Sequence, residues 1–372
     1  MSSGIKAVKR GKTLFGRYTE MFDRIKEDLS CEFLIIGGGI AGLLAAKEIN
    51  EKGIEVIVAE KNLIGLGRTA VGKDVIFSDG GLALEKEDSR NIKEIEDNFI
   101  TLLTELSQTA ELVREKSFKK RSLFIFSENE KGRNDMRRRY MIEKFGGKEA
   151  EFMLGHDAEG EFSFDYDSAV FTGNAAATVN ARSFAAKLAS YLSIKGSRIA
   201  EKSGIVSLIP TENGFSAKTE SGATVKAKAV IDARCHSEKR AVFSAKTEPT
   251  EASDGWPEEC VIRDTYNNRM TFYRTEDERI GMIFEKNRKL PMIFGSEHVF
   301  SYMQSVLSSM FFAIPNTVFT EKKISFEERT RQKTAKIIQS DDIPNLFIFA
   351  DPYSNGILSA LNVAKEFGSA LK

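Results

Sequence analysis

The sequence predicts an α/β fold with an α+β second domain: a parallel sheet flanked by helices, interrupted by an inserted mixed sheet. Three observations carry this reading. A glycine-rich turn joins an apolar run to a helical one in "FLIIGGGIAGLLAAKEIN" (33–50), and a second apolar run, "IEVIVA" (54–59), follows at once, so the chain opens with a βαβ unit. A further apolar run and a closing helix, "IPNLFIFAD" (343–351) and "ILSALNVAKEFGSALK", stand at the far end. Between them lie alternating segments such as "RMTFYRTEDERIGMIFE", with one polar and one apolar face.

Residues 1–30 are basic and then amphipathic, and are expected to form an arm that packs on the body or on a partner. Residues 33–36 read as a buried strand, 41–52 as a helix that Gly53 ends, and 54–59 as a second buried strand. Ile92, Ile95, Phe99, Leu103, Leu106, Ala110 and Val113 recur at spacings of three or four and mark a long helix. Residues 121–128 read as a strand and 131–147 as a basic helix or helix-turn whose Arg137, Arg138 and Arg139 form a solvated face. Residues 181–196 are helical, with Phe184, Leu188 and Leu192 on one side. "GIVSLI", "GFSAKTESG" and "TVKAKAVIDA" read as short antiparallel strands ending in a buried one, with Asn213-Gly214 and Ser221-Gly222 at the turns. Residues 256–300 read as sheet, and 343–351 as one more buried strand. The domain division that follows is an extension at 1–30, a discontinuous cofactor domain at 31–116, 176–236 and 336–372, and a substrate domain at 117–175 and 237–335.

Composition narrows the function. The 372 residues suffice for two domains, and Lys+Arg equals Asp+Glu at 54 each, so no net charge draws the chain to nucleic acid or a membrane. The longest apolar stretch, 33–46, is broken by glycines and too short to span a bilayer, and the basic N-terminus lacks the apolar core of a secretory signal. Cys31, Cys235 and Cys260 with His156, His236 and His298 make neither a disulfide framework nor a zinc site. The expectation is a cytoplasmic protein in a reducing compartment, with no metal.

The chemistry starts at Gly37-x-Gly39-x-x-Gly42. The first glycine permits a tight turn, the second lets the backbone approach a pyrophosphate, and the third lets helix and strand pack closely. The following helix offers free N–H groups and a partial positive charge to phosphates, which makes Ile36, Gly37, Gly39, Ile40, Ala41 and Gly42 candidate cofactor contacts. Glu60 ends the second strand 21 residues after Gly39, where a carboxylate accepts the hydroxyls of an adenosine ribose and would repel a 2′-phosphate. Lys61 and the loop "GLGRTAVG" (65–72) come next, a second Gly/Thr loop suited to the far side of a diphosphate. "FIFADPYSNGIL" puts Asp351 at a strand end and Asn355-Gly356 at a helix start, a second place for an anionic ring edge. Together these favour FAD over NAD.

These segments resemble the FAD-dependent oxidoreductases of the D-amino-acid oxidase superfamily, with glycine and sarcosine oxidases among them. The resemblance runs over about residues 31–372 and rests on "IIGGGIAGLLAAKEINEKGIEVIVAEK", "GLGRTAVG", "TVNARSFAAKLASYL", "VKAKAVIDA" and "NLFIFADPYSNGIL". It implies a Rossmann-like FAD-binding domain of the glutathione-reductase type. It places Arg68, Thr69 and Ala70 at the pyrophosphate, a backbone clamp on the adenine at Ile205 and Val206, and Asn355, Gly356, Ile357 and Leu358 beside the flavin. Three departures stand out: Ala233-Arg234-Cys235 where the family has small residues, Asp351-Pro352-Tyr353-Ser354 on the flavin side, and "FEERTRQK" at the start of the C-terminal segment. Ala233 and Arg234 remain cofactor candidates by position. Some relatives attach the flavin through a cysteine on a strand resembling "MTFYRTEDE"; none stands there, which implies non-covalent FAD.

The resemblance implies hydride transfer to the flavin from a small amine, amino acid or 2-hydroxy acid, with oxygen or another carrier as acceptor. A carboxylate substrate calls for an arginine and often a tyrosine hydroxyl. Tyr273, Arg274, Arg329 and Tyr353 are the candidates; strand alternation sends Tyr273 and Arg274 to opposite faces. Asp74, just past the Gly/Thr loop, is expected at the isoalloxazine edge, and His298 reads as a structural histidine. Other readings stay open: an FAD-binding subunit of a larger complex or a homo-oligomer, an RNA-modifying flavoprotein using the Arg137 cluster, and a nicotinamide dehydrogenase.

Overall fold

The computed structural model describes residues 20–77, 89–155, 162–234, 240–250, 256, 259–264, 270–285, 296–311, 318–327, 336–350 and 356–371. The chain runs β1 (Leu29–Ile36), α1 (Ile40–Asn50), β2 (Val56–Ala59), a short α2 (Arg68–Val71), β3 (Val75–Phe77) and α3 (Ser89–Leu112). It continues through β4 (Lys119–Ser127), α4 (Arg133–Phe145), β5 (Ala150–Leu154), β6 (Ser168–Thr178), α5 (Ala181–Ile194) and β7 (Arg198–Ala200). Then come β8 (Ile205–Thr211), β9 (Gly214–Thr219), β10 (Thr224–Asp232), β11 (Arg240–Pro249), β12 (Val261–Asp264), β13 (Met270–Arg274) and β14 (Arg279–Glu285). The last elements are α6 (Ser296–Met310), β15 (Phe319–Glu327), β16 (Lys336–Gln339), β17 (Leu346–Ala350) and α7 (Gly356–Ala370).

Two sheets organise these elements. The first has the order β16-β17-β10-β1-β2-β7, with β9 pairing β10 and β8 pairing β9; β17, β10, β1, β2 and β7 are mutually parallel. Alternation along β1 explains its layers. Phe33 and Ile35 face a helical core with Leu43, Leu44 and Ile49 of α1, Leu188 of α5 and Leu361 of α7. Leu34 and Ile36 face a smaller core closed by Ile25 of the arm and Phe215 of β9. The second sheet has the order β15-β11-β14-β13-β12-β4-β6-β3, with β5 also on β6. One of its faces is packed by α6 and an aromatic cluster in which Trp256 stacks on Phe311 at 4.7 Å. Its other face holds Val75, Ile125, Val242, Tyr273 and Ile283. Strand β3 follows the Gly/Thr loop in sequence but is hydrogen-bonded to β6 of the second sheet, so residues 72–77 bridge the two sheets.

The α/β architecture agrees with the sequence reading, and helix ends fall within two residues of expectation for α1 and α5. Three readings need correction. Residues 296–300 begin α6 and are not strand, because Val299, Phe300, Met303, Leu307 and Met310 recur at helical spacing and are buried. Strand β17 is paired on both sides yet only half-buried, with Ile348 at 37% exposure, since its outer face is only partly covered. Arg139 does not belong to a solvated face. It is buried and bonded to Glu143, which also pairs with Lys148 at 2.7 Å.

The C-terminal end of α3 is tied to α5 by Glu115. Its carboxylate accepts from the Ser117 N–H and hydroxyl at 2.9 and 2.7 Å and from the Ser183 hydroxyl at 2.6 Å, with Lys187 Nζ at 3.2 Å. Burial pulls its pKa up, but these donors outweigh burial and hold it below the ordinary value of 4.5. A depressed carboxylate stabilises the fold above its unfolded pKa and loses that contribution as pH falls through the folded value. Glu115→Gln should therefore cost about 1–3 kcal/mol at neutral pH in urea denaturation, with the gap to the parent protein closing as the titration is repeated below pH 4.5.

Candidate active site and cofactor cradle

The glycine turn is built by close packing. Gly37 has φ +114° and lies against the Ala233 carbonyl, where an added Cβ would sit at 3.3 Å. A Cβ on Gly42 would lie 2.1 Å from the Gly37 carbonyl oxygen, so only glycine lets α1 stand this close to the end of β1. Gly39 differs: its Cβ would meet only the Thr69 hydroxyl, at 3.2 Å. The second glycine thus leaves an open approach, and the first and third serve turn and packing, as a diphosphate site requires.

Glu60 stands at the mouth of this turn. Its carboxylate accepts the Gly38 N–H at 2.7 Å and the Asn62 N–H at 2.8 Å, which leaves lone pairs for ribose hydroxyls. Gly39, the N-cap of α1, has no side chain; the Thr69 hydroxyl accepts the Ile40 N–H in its place at 3.0 Å. Thr69 and Ala70 are buried, and Arg68 opens α2 beside them. The amides of Ala41 and Gly42, in the first turn of α1, lack intrahelical acceptors by position. These groups fit the adenosine diphosphate half of FAD: Glu60 at the ribose, the first turn of α1 and the α2 loop at the phosphates.

The remaining cofactor candidates fall out unevenly. Ile36 is buried in the β1 core. Lys61 is exposed and faces Glu220 at 3.7 Å. Ile205 is half-buried at the start of β8 and the Val206 side chain is 61% exposed, so a clamp on an adenine here would come from the backbone. Arg234 forms a bidentate pair with Asp232, at 2.9 and 2.6 Å. Ile357 and Leu358 send their side chains into the helical core, so only the backbone at the start of α7 could approach a ligand. Asp351, Asn355, Arg329, Tyr353 and Cys235 lie outside the described residues.

Among the substrate candidates the structure separates Tyr273 from Arg274. Tyr273 is 2% exposed on the face shared with Val75 and Val242. Its ring covers Gly281 on β14, where an added Cβ would be 2.1 Å from Cζ. Arg274 points to the opposite face and donates to the Thr250 carbonyl at 2.9 Å, so it is a structural arginine, as strand alternation requires. His298 lies on the exposed side of α6, on the far face of the sheet. Asp74 caps the N-terminus of α5 through the Ala181 N–H at 3.2 Å and pairs with Lys246 at 2.5 Å.

Sequence reasoning missed Lys246. It lies on β11, in the alternate row Val242, Ser244, Lys246 that faces Tyr273, and that alternation was the available signal. Missed too were Gly281, whose place inside a strand marks a close approach, and the buried pair Lys73–Glu285. Burial would lower the Lys246 pKa, but the carboxylates of Asp74 and Glu321 raise it well above the ordinary lysine value, so Lys246 is cationic at neutral pH. Burial raises Tyr273, with Lys246 opposing and Asp74 assisting; its hydroxyl stays protonated and can donate. An open cavity of about 700 Å³ borders Tyr273, Lys246 and Asp74, with Glu276 and Asp277 of the β13–β14 turn, Arg279 at the start of β14 and Glu321 of β15 at its wall. Asn180 and Ser117, beside the start of α5, close its other side.

The profile of the FAD dependent oxidoreductase (DAO) family matches residues 32–369. The chain belongs to this family. The family is FAD-dependent, and FAD is the cofactor this membership gives the chain. It is similar to gamma-glutamylputrescine oxidoreductase of Escherichia coli K12, at 24% identity over 249 residues; the match covers 63% of this chain and 55% of that protein's length. A 67-residue stretch is 42% identical to part of a ferredoxin:CoB-CoM heterodisulfide reductase of Methanosarcina acetivorans, covering 18% of this chain and 8% of that one. The fold is shared with L-proline dehydrogenase from P. horikoshii (TM-score 0.75, 15% identity, 93% and 94% of the two chains). It is shared equally with glycine oxidase from Bacillus cereus (TM-score 0.74, 14% identity, 91% and 94%). No helix among the described residues is long and apolar enough to cross a membrane.

Gly42→Ala tests the cradle. The Cβ must push α1 off the Gly37 carbonyl, and the purified variant should lose the flavin absorbance of the parent while remaining folded by circular dichroism.

Proposed function

We propose that the enzyme oxidises a small amine or amino acid, with the substrate held between the cofactor domain and the second sheet. The observation that carries this reading is the protonated Tyr273 hydroxyl beside cationic Lys246 on the wall of a cavity that also carries carboxylates. A cation and a hydroxyl donor suit a substrate carboxylate; Glu276, Asp277 and Glu321 suit an ammonium group. FAD, when bound, supplies a hydride acceptor for the carbon bearing the amine. Tyr273 and Lys246 would orient that substrate, in the place where the sequence suggested arginines. The names of relatives support the substrate class: gamma-glutamylputrescine oxidoreductase, glycine oxidase and L-proline dehydrogenase refer to amines or amino acids.

The same reading keeps the cofactor non-covalent, with oxygen or another carrier taking the electrons. It treats 31–116, 176–236 and 336–372 as the cofactor domain, with residues 72–77 handed across to the second sheet. Cys31 and Cys260 are buried and form no disulfide among the described residues, which suits a reducing compartment such as the cytoplasm. An RNA-binding role for the arginine cluster loses support: Arg139 is buried against Glu143, and nearby Arg133 is held by Asp167.

Anaerobic mixing of the holoenzyme with a panel of amines, amino acids and 2-hydroxy acids decides the substrate class. Bleaching of the flavin bands by amines or amino acids is the expected outcome; bleaching by hydroxy acids alone would overturn it. Heat or acid precipitation should release the FAD into the supernatant. Tyr273→Phe keeps the ring over Gly281 and removes one donor, so kcat/KM for a bleaching amino acid should fall about tenfold, the worth of one hydrogen bond.

A further inference from the structure

The N-terminal arm is stitched to the cofactor domain through a carboxylate that also holds the adenosine loop. Glu201 follows β7 and is 1% exposed. Its Oε2 accepts the N–H groups of Met21 at 2.6 Å and Phe22 at 3.2 Å; its Oε1 accepts the Ile64 N–H at 2.7 Å. Two segments 42 residues apart in sequence, counted from Phe22 to Ile64, thus meet on one side chain.

From Ile64 the contacts run directly to the glycine turn. The Ile64 side chain fills the space a Cβ on Gly38 would need, at 2.3 Å, and the Gly65 N–H donates to the Gly38 carbonyl at 3.0 Å. Gly38 in turn donates to Glu60, the ribose-binding candidate. The backbone repeats the connection: Glu60 N–H donates to Ala200, Ser203 N–H to Glu60, and Lys202 N–H to Asn62. The arm has its own anchors. Ile25 is fully buried, its N–H donates to the Ser203 hydroxyl at 2.9 Å, and its carbonyl accepts from Ser221 at 2.6 Å; Glu20 pairs with Lys202 at 2.6 Å. Arg182 lies close enough to feel the Glu201 charge from the α5 side.

We propose that Glu201 is a positioning residue for FAD, and that through it the docked arm sets the shape of the adenosine site. The carboxylate does not touch the cofactor. It fixes where Ile64 and Gly65 press on Gly38, and so where Glu60 presents its free lone pairs. Removing the arm's donors leaves a buried carboxylate oxygen without two of its partners, a cost that moves the loop. The inference rests on FAD as cofactor and is independent of the substrate reading.

The test uses the full chain as apo-protein, titrated with FAD by flavin fluorescence, and two variants. Glu201→Gln replaces an acceptor by a donor facing backbone N–H groups. Met21→Pro removes one arm donor at an exposed position and leaves the Ile64 bond intact. FAD should bind about tenfold more weakly to Glu201→Gln and several-fold more weakly to Met21→Pro, measured at a temperature where circular dichroism shows both apo-proteins folded. By reciprocity, FAD should slow trypsin cleavage at the exposed Arg24 and Lys26 in the parent, and this protection should vanish in Glu201→Gln. FAD affinity within twofold of the parent in both variants, or equal protection in Glu201→Gln, would overturn the proposal. If Glu201→Gln does not fold, the Met21→Pro affinity alone decides.

Discussion

The closeness of α1 to the carbonyl of Gly37 is the constraint on which the cofactor half depends. A helix this near the strand it follows admits no side chain at position 42, and it forces the positive φ of Gly37. It also exposes the first-turn amides of α1 beside an open Gly39, with the Thr69 hydroxyl in place of the cap that a glycine cannot supply. Shifting α1 outward would lose the burial of Leu43, Leu44 and Ile49 against β1, each worth about 1.5–3 kcal/mol. Packing and cofactor geometry therefore cannot be varied separately here: the helical core presses α1 inward, and the glycines make that pressure tolerable.

The two sheets meet through charge. Lys73 pairs with Glu285 and Asp74 with Lys246, so adjacent residues of one bridging segment reach β14 and β11 of the second sheet. Buried ion pairs contribute little net stability, because desolvation offsets attraction. Their use is in alignment: the two pairs hold residues 72–74 at a set height above the sheet, and with them the link between the α2 loop and Tyr273. The cavity beside them then has a wall whose charges are already oriented by partners.

The cofactor cradle was legible because it is local. A turn, a helix, a strand and an acid within 24 residues, 37 to 60, carry their own geometry, and the glycine roles inferred from spacing match the packing distances at Gly37, Gly39 and Gly42. The long helix α3, the basic helix α4 and the β8–β9–β10 meander were legible from periodicity and turn residues alone. Tertiary partners were not. Nothing local in "RRRYMIEKF" says that the third arginine meets a buried Glu143, and nothing in "VIDARC" says that Arg234 folds back onto Asp232. Alternation did separate Tyr273 from Arg274, and it puts Lys246 in one row with Val242 and Ser244, but nothing local says that this row shares a face with Tyr273, 27 residues later. The exposure of Ile348 and Val206 depends on which elements cover them, and no run of apolar residues records that.

This difference in locality bears on how the chemistry is divided. The candidate cofactor site would draw its groups from backbone amides and one acid on rigid elements. The cavity draws on Asp74 just before β3, on β11, on β13 and the turn after it, and on β15, so its lining is set largely by side chains on strands of the second sheet. Of those side chains, Lys246 is held cationic and Tyr273 protonated, so neither serves as a proton acceptor near neutral pH. Asp277 is a weak acceptor as well: burial would raise its pKa, but Thr275 and Arg279 hold it low. On the proposed reading the protein orients the substrate, an ammonium group would first pass a proton to a wall carboxylate such as Glu276 or Glu321, and FAD, when bound, would supply the hydride acceptor. A cavity that joins a cation and a hydroxyl donor to carboxylates suits both tasks, orienting the substrate and taking its proton.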